Sequence, residues 1–63
     1  MPQLNGIRFV WRAASRLQPG DELLLSNGEQ VFVTARYNDV DGTWLETSDG
    51  DVGYATGRYR VIV

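Results

Sequence analysis

The sequence predicts a small all-β domain in which five to six short antiparallel strands curl into a barrel. Three observations predict it. Helical patterning is almost absent, whereas apolar residues alternate with a period of two, the mark of a half-buried strand. Turn residues recur at short intervals: Pro19-Gly20-Asp21, Asn27-Gly28, Asp39 to Gly42, and Asp49-Gly50. Short strands joined by such turns describe a meander.

Each element follows in order. Residues 6–13 alternate, with Ile7, Phe9, Trp11 and Ala13 expected to face inward and Arg8, Val10 and Arg12 outward. Residues 12–17 are the one helical candidate. Isolated helices are marginal below about 12 residues, so a single turn is expected before Pro19-Gly20 ends it. Residues 22–26 form the next strand, through Leu23, Leu24 and Leu25. Asn27-Gly28 tolerates positive φ and reads as a type I′ hairpin turn. In residues 29–38, Val31, Val33, Ala35 and Tyr37 are set against Phe32, Thr34 and Arg36. The Asp39 to Gly42 turn takes its positive φ from Gly42. Residues 43–48 are a fourth strand, and Asp49-Gly50 is a second type I′ signal. Residues 52–55 form a short strand, Thr56-Gly57 a break, and residues 59–63 a β-branched final strand.

Leu23 to Leu25 and Val61 to Val63 place apolar residues on both faces of their strands. A sheet that curls on itself buries such strands and covers its edges. In that arrangement residues 14–20 form the long first loop, and the terminal strand returns beside an early one.

The run Leu17-Gln18-Pro19-Gly20-Asp21-Glu22-Leu23-Leu24-Leu25, then Asn27-Gly28-Glu29 and Val31-Phe32-Val33, resembles the opening of many small bacterial SH3-like barrels. There a Pro-Gly-Asp turn launches a strand and a glycine hairpin returns it. The ending, Trp44-Leu45-Glu46-Thr47, Asp49-Gly50 and Tyr59-Arg60-Val61-Ile62-Val63, is similar to short proteins of actinobacteria and their phages whose function is uncharacterised. The resemblance implies an SH3-like barrel over most of the chain from Leu17 onward. Its motifs are turn chemistry, so it carries over no functional residue, and the fold hosts many unrelated tasks.

Sixty-three residues suit one domain, residues 1–63. A domain of this size buries only about 60% of the surface its unfolded chain exposes. With no Cys and no His, neither a disulfide framework nor an ordinary zinc site can reinforce it. Stability must come from the core or from self-association, and two Trp, three Tyr and two Phe supply large apolar area. No basic stretch followed by an apolar one marks a secretory leader, and no apolar run reaches the roughly 18 residues of a membrane span. The expectation is a cytoplasmic chain with no membrane association.

The formal net charge is -2 and the pI about 4.7. Residues 1–20 carry Arg8, Arg12 and Arg16 and no acid; residues 21–51 carry eight acids against Arg36; residues 52–63 carry Arg58 and Arg60. All six basic residues are Arg, a bias that fits a GC-rich bacterial or phage genome.

The function classes narrow accordingly. Ser-His and Cys-His nucleophile pairs are impossible, and Ser15, Ser26 and Ser48 have no His or Lys as a base. No cofactor motif appears, and the expectation is a non-enzymatic protein. Asp39-Val40-Asp41-Gly42 and Asp49-Gly50-Asp51 are oxygen-rich, as calcium loops are. They lack EF-hand spacing, and Asp beside a turn ordinarily bonds its own backbone.

Three candidate surfaces remain, one of them a peptide groove lined by Trp11, Trp44, Tyr37, Tyr54 and Tyr59, set against the need of a small core for some of the same rings. If Phe9 and Trp11 point inward, as do Tyr59, Val61 and Val63, then Arg8, Arg12, Arg58 and Arg60 share one outer face, suited to phosphates or an acidic protein. The alternative is a solvated face whose charges keep a strand edge from pairing. Trp44 and Leu45 are adjacent and cannot both face the core. If Leu45 is inside, Trp44 is a candidate contact residue, and the pattern alone leaves the choice open. The expected function is a protein-interaction module with a protein partner or self-association. The alternative is a nucleic-acid-binding barrel using the arginine and aromatic face, which the acidic pI disfavours.

Overall fold

In the computed structural model, which describes residues 3–4 and 6–63, the period-two pattern becomes one antiparallel sheet. Its strands are β1 (Gln3–Leu4), β2 (Ile7–Ala13), β3 (Glu22–Leu24), β4 (Gln30–Asp39), β5 (Gly42–Thr47), β6 (Val52–Ala55) and β7 (Arg58–Ile62). They are ordered β1-β2-β7-β3-β4-β5-β6. β3 to β6 form the meander, and β7 inserts between β2 and β3, so the last strand does return beside early ones. Among the described residues no ladder joins β6 to β1 or β2, so the sheet is open. A 3₁₀ turn, Ala14–Arg16, stands where a single helical turn was expected. Among the described residues no helix is long and apolar enough to cross a membrane.

The core is one cluster of Leu17, Leu23, Val31, Val33, Leu45 and Val61, with Val10, Leu25, Ala55 and Tyr59 packed against it. Leu23 and Val61 come from the β2-β7-β3 half and Leu45 from the β4-β5-β6 half. The sheet therefore curls until the inner faces of its halves meet. Their outer faces lie on opposite sides of that core.

Two expected strand phases are corrected. In β2, Val10 opposes Val61 and packs on the core, whereas Phe9 and Trp11 lie on the outer face opposite Ile62 and Arg60. Partners in a ladder share a face, so β7, whose Val61 is core, sets the phase of β2. Phe9 is still buried, among outer-face neighbours, but Trp11 is 51% exposed.

In β4 the alternation holds through Val33 and then inverts. Val33 pairs with Thr47, but Ala35 pairs with Glu46, so one extra residue sits on β4. Such a bulge adds twist and re-aims the residues beyond it. Arg36 consequently opposes buried Leu45 on the inner face, and Tyr37 opposes Trp44 on the outer one.

The turns carry the third correction. Gly28 N–H donates to the Leu25 carbonyl (3.0 Å), and Leu25 N–H donates to that of Glu29 (2.8 Å). The turn centre is thus Ser26-Asn27, with Gly28 at φ 88° in a bulge. This is the three-residue hairpin rather than type I′. Ser48-Asp49-Gly50 repeats it, with Gly50 N–H donating to Thr47 and Thr47 N–H to Asp51. At Gln18-Pro19-Gly20-Asp21 the Asp21 N–H donates to the Gln18 carbonyl (3.0 Å). Pro at the second position and Gly20 at φ 96° in the third make this a type II turn.

Candidate interaction surfaces

The register of β4, β5 and β6 builds the most distinctive surface. Tyr37 pairs with Trp44, and Trp44 with Tyr54, giving a row of three rings across adjacent strands of the outer face. Tyr37 is 59% and Tyr54 53% exposed, while Trp44 between them is half-buried. Trp44 and Tyr54 meet edge to face, centroids 5.3 Å apart. Leu45 is the core residue of the Trp44-Leu45 pair, which settles the open alternative.

Carboxylates fix two of the three rings. The Trp44 indole Nε1–H donates to Glu46 Oε2 (3.1 Å), and the Tyr54 hydroxyl donates to Asp39 Oδ2 (3.1 Å). The latter bond, with burial and the Asp39 charge adding to it, raises the Tyr54 pKa above the ordinary phenol value. Between Tyr37 and Tyr54 the chain carries Asp39, Asp41, Glu46, Asp49 and Asp51 and no basic residue. The row is therefore aromatic with an acidic border.

The four arginines do not share a face. Arg58 and Arg60 oppose Ala13 and Trp11 on the outer face, but Arg12 opposes Tyr59, whose face carries Val61 and the core. Arg8 has the same parity as Arg12 and is exposed. The expectation failed with the inverted phase of β2. What assembles instead is a smaller cluster. The Arg58 guanidinium lies 5.6 Å from the Trp11 ring centroid, and that of Arg60 lies 5.8 Å from both Trp11 and Phe9. Arg60 Nε also donates to the Leu24 carbonyl (3.1 Å). Trp44, on the other half of the sheet, does not join them.

Arg12 has a structural task. Its Nη1 donates to Asp21 Oδ2 (3.0 Å), which also accepts from Gln18 N–H (2.9 Å), so it ties β2 to the type II turn. Arg12 also lines an open groove with Ser15, Arg16, Gln18, Pro19, Asp21 and Arg36. Sequence reasoning did not select Arg16 or Arg36 for any site. Arg36 reaches this end because the bulge turns it inward, where its Nε donates to the Leu17 carbonyl (2.8 Å).

The acidic turns bond themselves. Asp39 Oδ1 accepts from Asp41 N–H (2.8 Å). Asp49 Oδ1 accepts from the Thr47 hydroxyl (2.6 Å) and Asp51 N–H (3.2 Å), which lowers the Asp49 pKa, the hydroxyl contributing most. Among the described residues no three His, Cys, Asp or Glu side chains group as metal ligands. On the open side of the sheet the inner residues Leu23, Leu25, Leu45, Gly53, Ala55 and Tyr59 line a cleft of about 200 Å³.

No protein-family model, curated protein or solved structure matches this chain.

Proposed function

We propose that this chain is a non-enzymatic protein-interaction module that receives a cationic segment of a partner on the Tyr37–Trp44–Tyr54 row. The observation that carries the reading is the row itself: three adjacent rings on an uncovered sheet face, bordered by Asp39 and Glu46. Aromatic side chains dominate binding energy at interfaces. A guanidinium or ammonium over Tyr or Trp gains cation–π attraction, and nearby carboxylates add to it. The fold reading is an SH3-like plan, supported by the long β4, which pairs with β3 at its start and with β5 beyond, and changes phase at its bulge. The nucleic-acid alternative loses the four-arginine face on which it was based.

Short capped peptides test the reading, with resonances of the rings followed by NMR. A peptide centred on Arg should shift the Trp44 indole and the Tyr37 and Tyr54 rings, and its glutamate counterpart should not. Trp44→Ala should abolish the response while leaving the fold intact. Equal responses to both peptides, or shifts confined to the Trp11 side, would sink the proposal.

A further inference from the structure

We infer that the groove lined by Arg12, Arg16 and Arg36 binds a phosphate-type oxyanion. This inference rests on other residues than the aromatic row. The chain is acidic, with a formal net charge of -2 and only six basic residues. Three of those six nevertheless line this groove, and Asp21 is the only carboxylate among its lining residues.

The three arginines reach this groove from separate parts of the chain. Arg12 is on β2, Arg16 on the 3₁₀ turn, and Arg36 beyond the bulge of β4. Two are held in place by bonds that leave donors over. A guanidinium has five N–H donors. Among the described residues Arg12 makes one side-chain bond, through Nη1 to Asp21, and Arg36 makes one, through Nε to the Leu17 carbonyl. Asp21 Oδ2 is itself shared with Gln18 N–H, so its charge is spread over two donors. Arg16 is exposed and has no hydrogen-bond or ion-pair partner among the described residues.

Planar guanidiniums match the oxygens of a phosphate and bond them in pairs. A groove with two anchored arginines and one unengaged arginine is therefore preorganised for such a group. Arg58 and Arg60 are a poorer site. Their guanidiniums lie against Trp11 and Phe9, and only two arginines contribute. They serve as the internal control.

The test titrates the whole chain at low salt with inorganic pyrophosphate, following backbone amides and arginine Nε–H groups by NMR. Saturable shifts are expected at Ser15, Arg16, Gln18 and Arg36. Arg16→Gln should weaken binding about tenfold without moving the melting temperature, and Arg58→Gln should leave binding unchanged. A single-stranded oligothymidine forms a second arm. Tighter binding of it at the same residues assigns the oxyanion to a nucleic-acid backbone, and binding of pyrophosphate alone assigns it to a free phosphate. The inference is overturned if no saturable shift appears, if Arg58 and Arg60 respond as strongly as the groove, or if Arg16→Gln has no effect.

Discussion

Leu17→Ala is the sharpest test of how this small domain is held together. Leu17 is fully buried although it belongs to no strand. It follows the 3₁₀ turn and closes one end of the core. Truncation to Ala removes three carbon groups, and at about 0.8 kcal/mol each the transfer cost alone is about 2.4 kcal/mol. Residual cavity brings measured Leu→Ala losses to about 2.7–5 kcal/mol. A domain of this length has a total stability of only about 3–9 kcal/mol. The variant should lose a third of that or more. Urea unfolding followed by Trp fluorescence measures it. With a slope of about 1 kcal/mol per molar, the midpoint should fall by about 2.5 M or more. Val40→Ala is the matched control, since Val40 is 99% exposed, and its effect should stay within about 0.5 kcal/mol. A Leu17→Ala loss under about 1 kcal/mol would refute the claim that this loop residue completes the core.

Two further outcomes follow from local geometry. Gly28 has φ 88° and nothing within 4 Å of where a Cβ would stand, so Gly28→Val costs backbone strain alone, about 1–2 kcal/mol; thermal unfolding should shift down by about 4–16 °C, and an unchanged midpoint would contradict the turn assignment. Tyr54 should ionise above the ordinary value of 10.0 because its hydroxyl donates to Asp39. Its folded-state pKa is raised, so the associated stability is fully present below the unfolded value and is lost as pH rises through the folded one. Asp39→Asn should lower the Tyr54 midpoint in an alkaline ultraviolet titration, and no change would show that the bond does not form in solution.

Much of the fold was legible because strands and turns are local. The expected strands stand within about two residues of their places, and glycines mark the hairpins. Val31 and Val33, set together on one face by the alternation, and Val61, expected inward, all lie in the core. The two phase errors share one cause: the phase of a strand is set by its neighbour. Ile7, Phe9 and Trp11 form an acceptable apolar face by pattern, yet Val10 faces the core because it pairs with Val61. No local signal distinguishes the two, and the outer-face cluster of Phe9, Trp11 and Leu24 has no counterpart in a two-state pattern of inside and outside. Trp44 was legible as a candidate, but its row with Tyr37 and Tyr54 required the register across three strands. The arginine groove joins residues far apart in sequence and was beyond any local reading.

The bulge in β4 has the widest consequences, and Arg36 tests it directly. Strict alternation from Val31 and Val33 would put Tyr37 inside and Arg36 in solvent. The one extra residue exchanges them, so that Tyr37 completes the aromatic row and Arg36 reaches the carbonyl of a buried leucine. On the alternating phase Arg36→Met would be a surface change worth less than about 0.5 kcal/mol. On the bulged phase it removes the side-chain donor that Leu17 O accepts from, and a buried acceptor left without a partner costs about 1–3 kcal/mol. Chemical denaturation of Arg36→Met beside Arg16→Met separates the two, because Arg16 is exposed and its change should be near neutral. A loss confined to Arg36 places its side chain at the core end. Equal, small effects would return β4 to simple alternation, and with it would go the Tyr37 end of the aromatic row and the Arg36 wall of the groove.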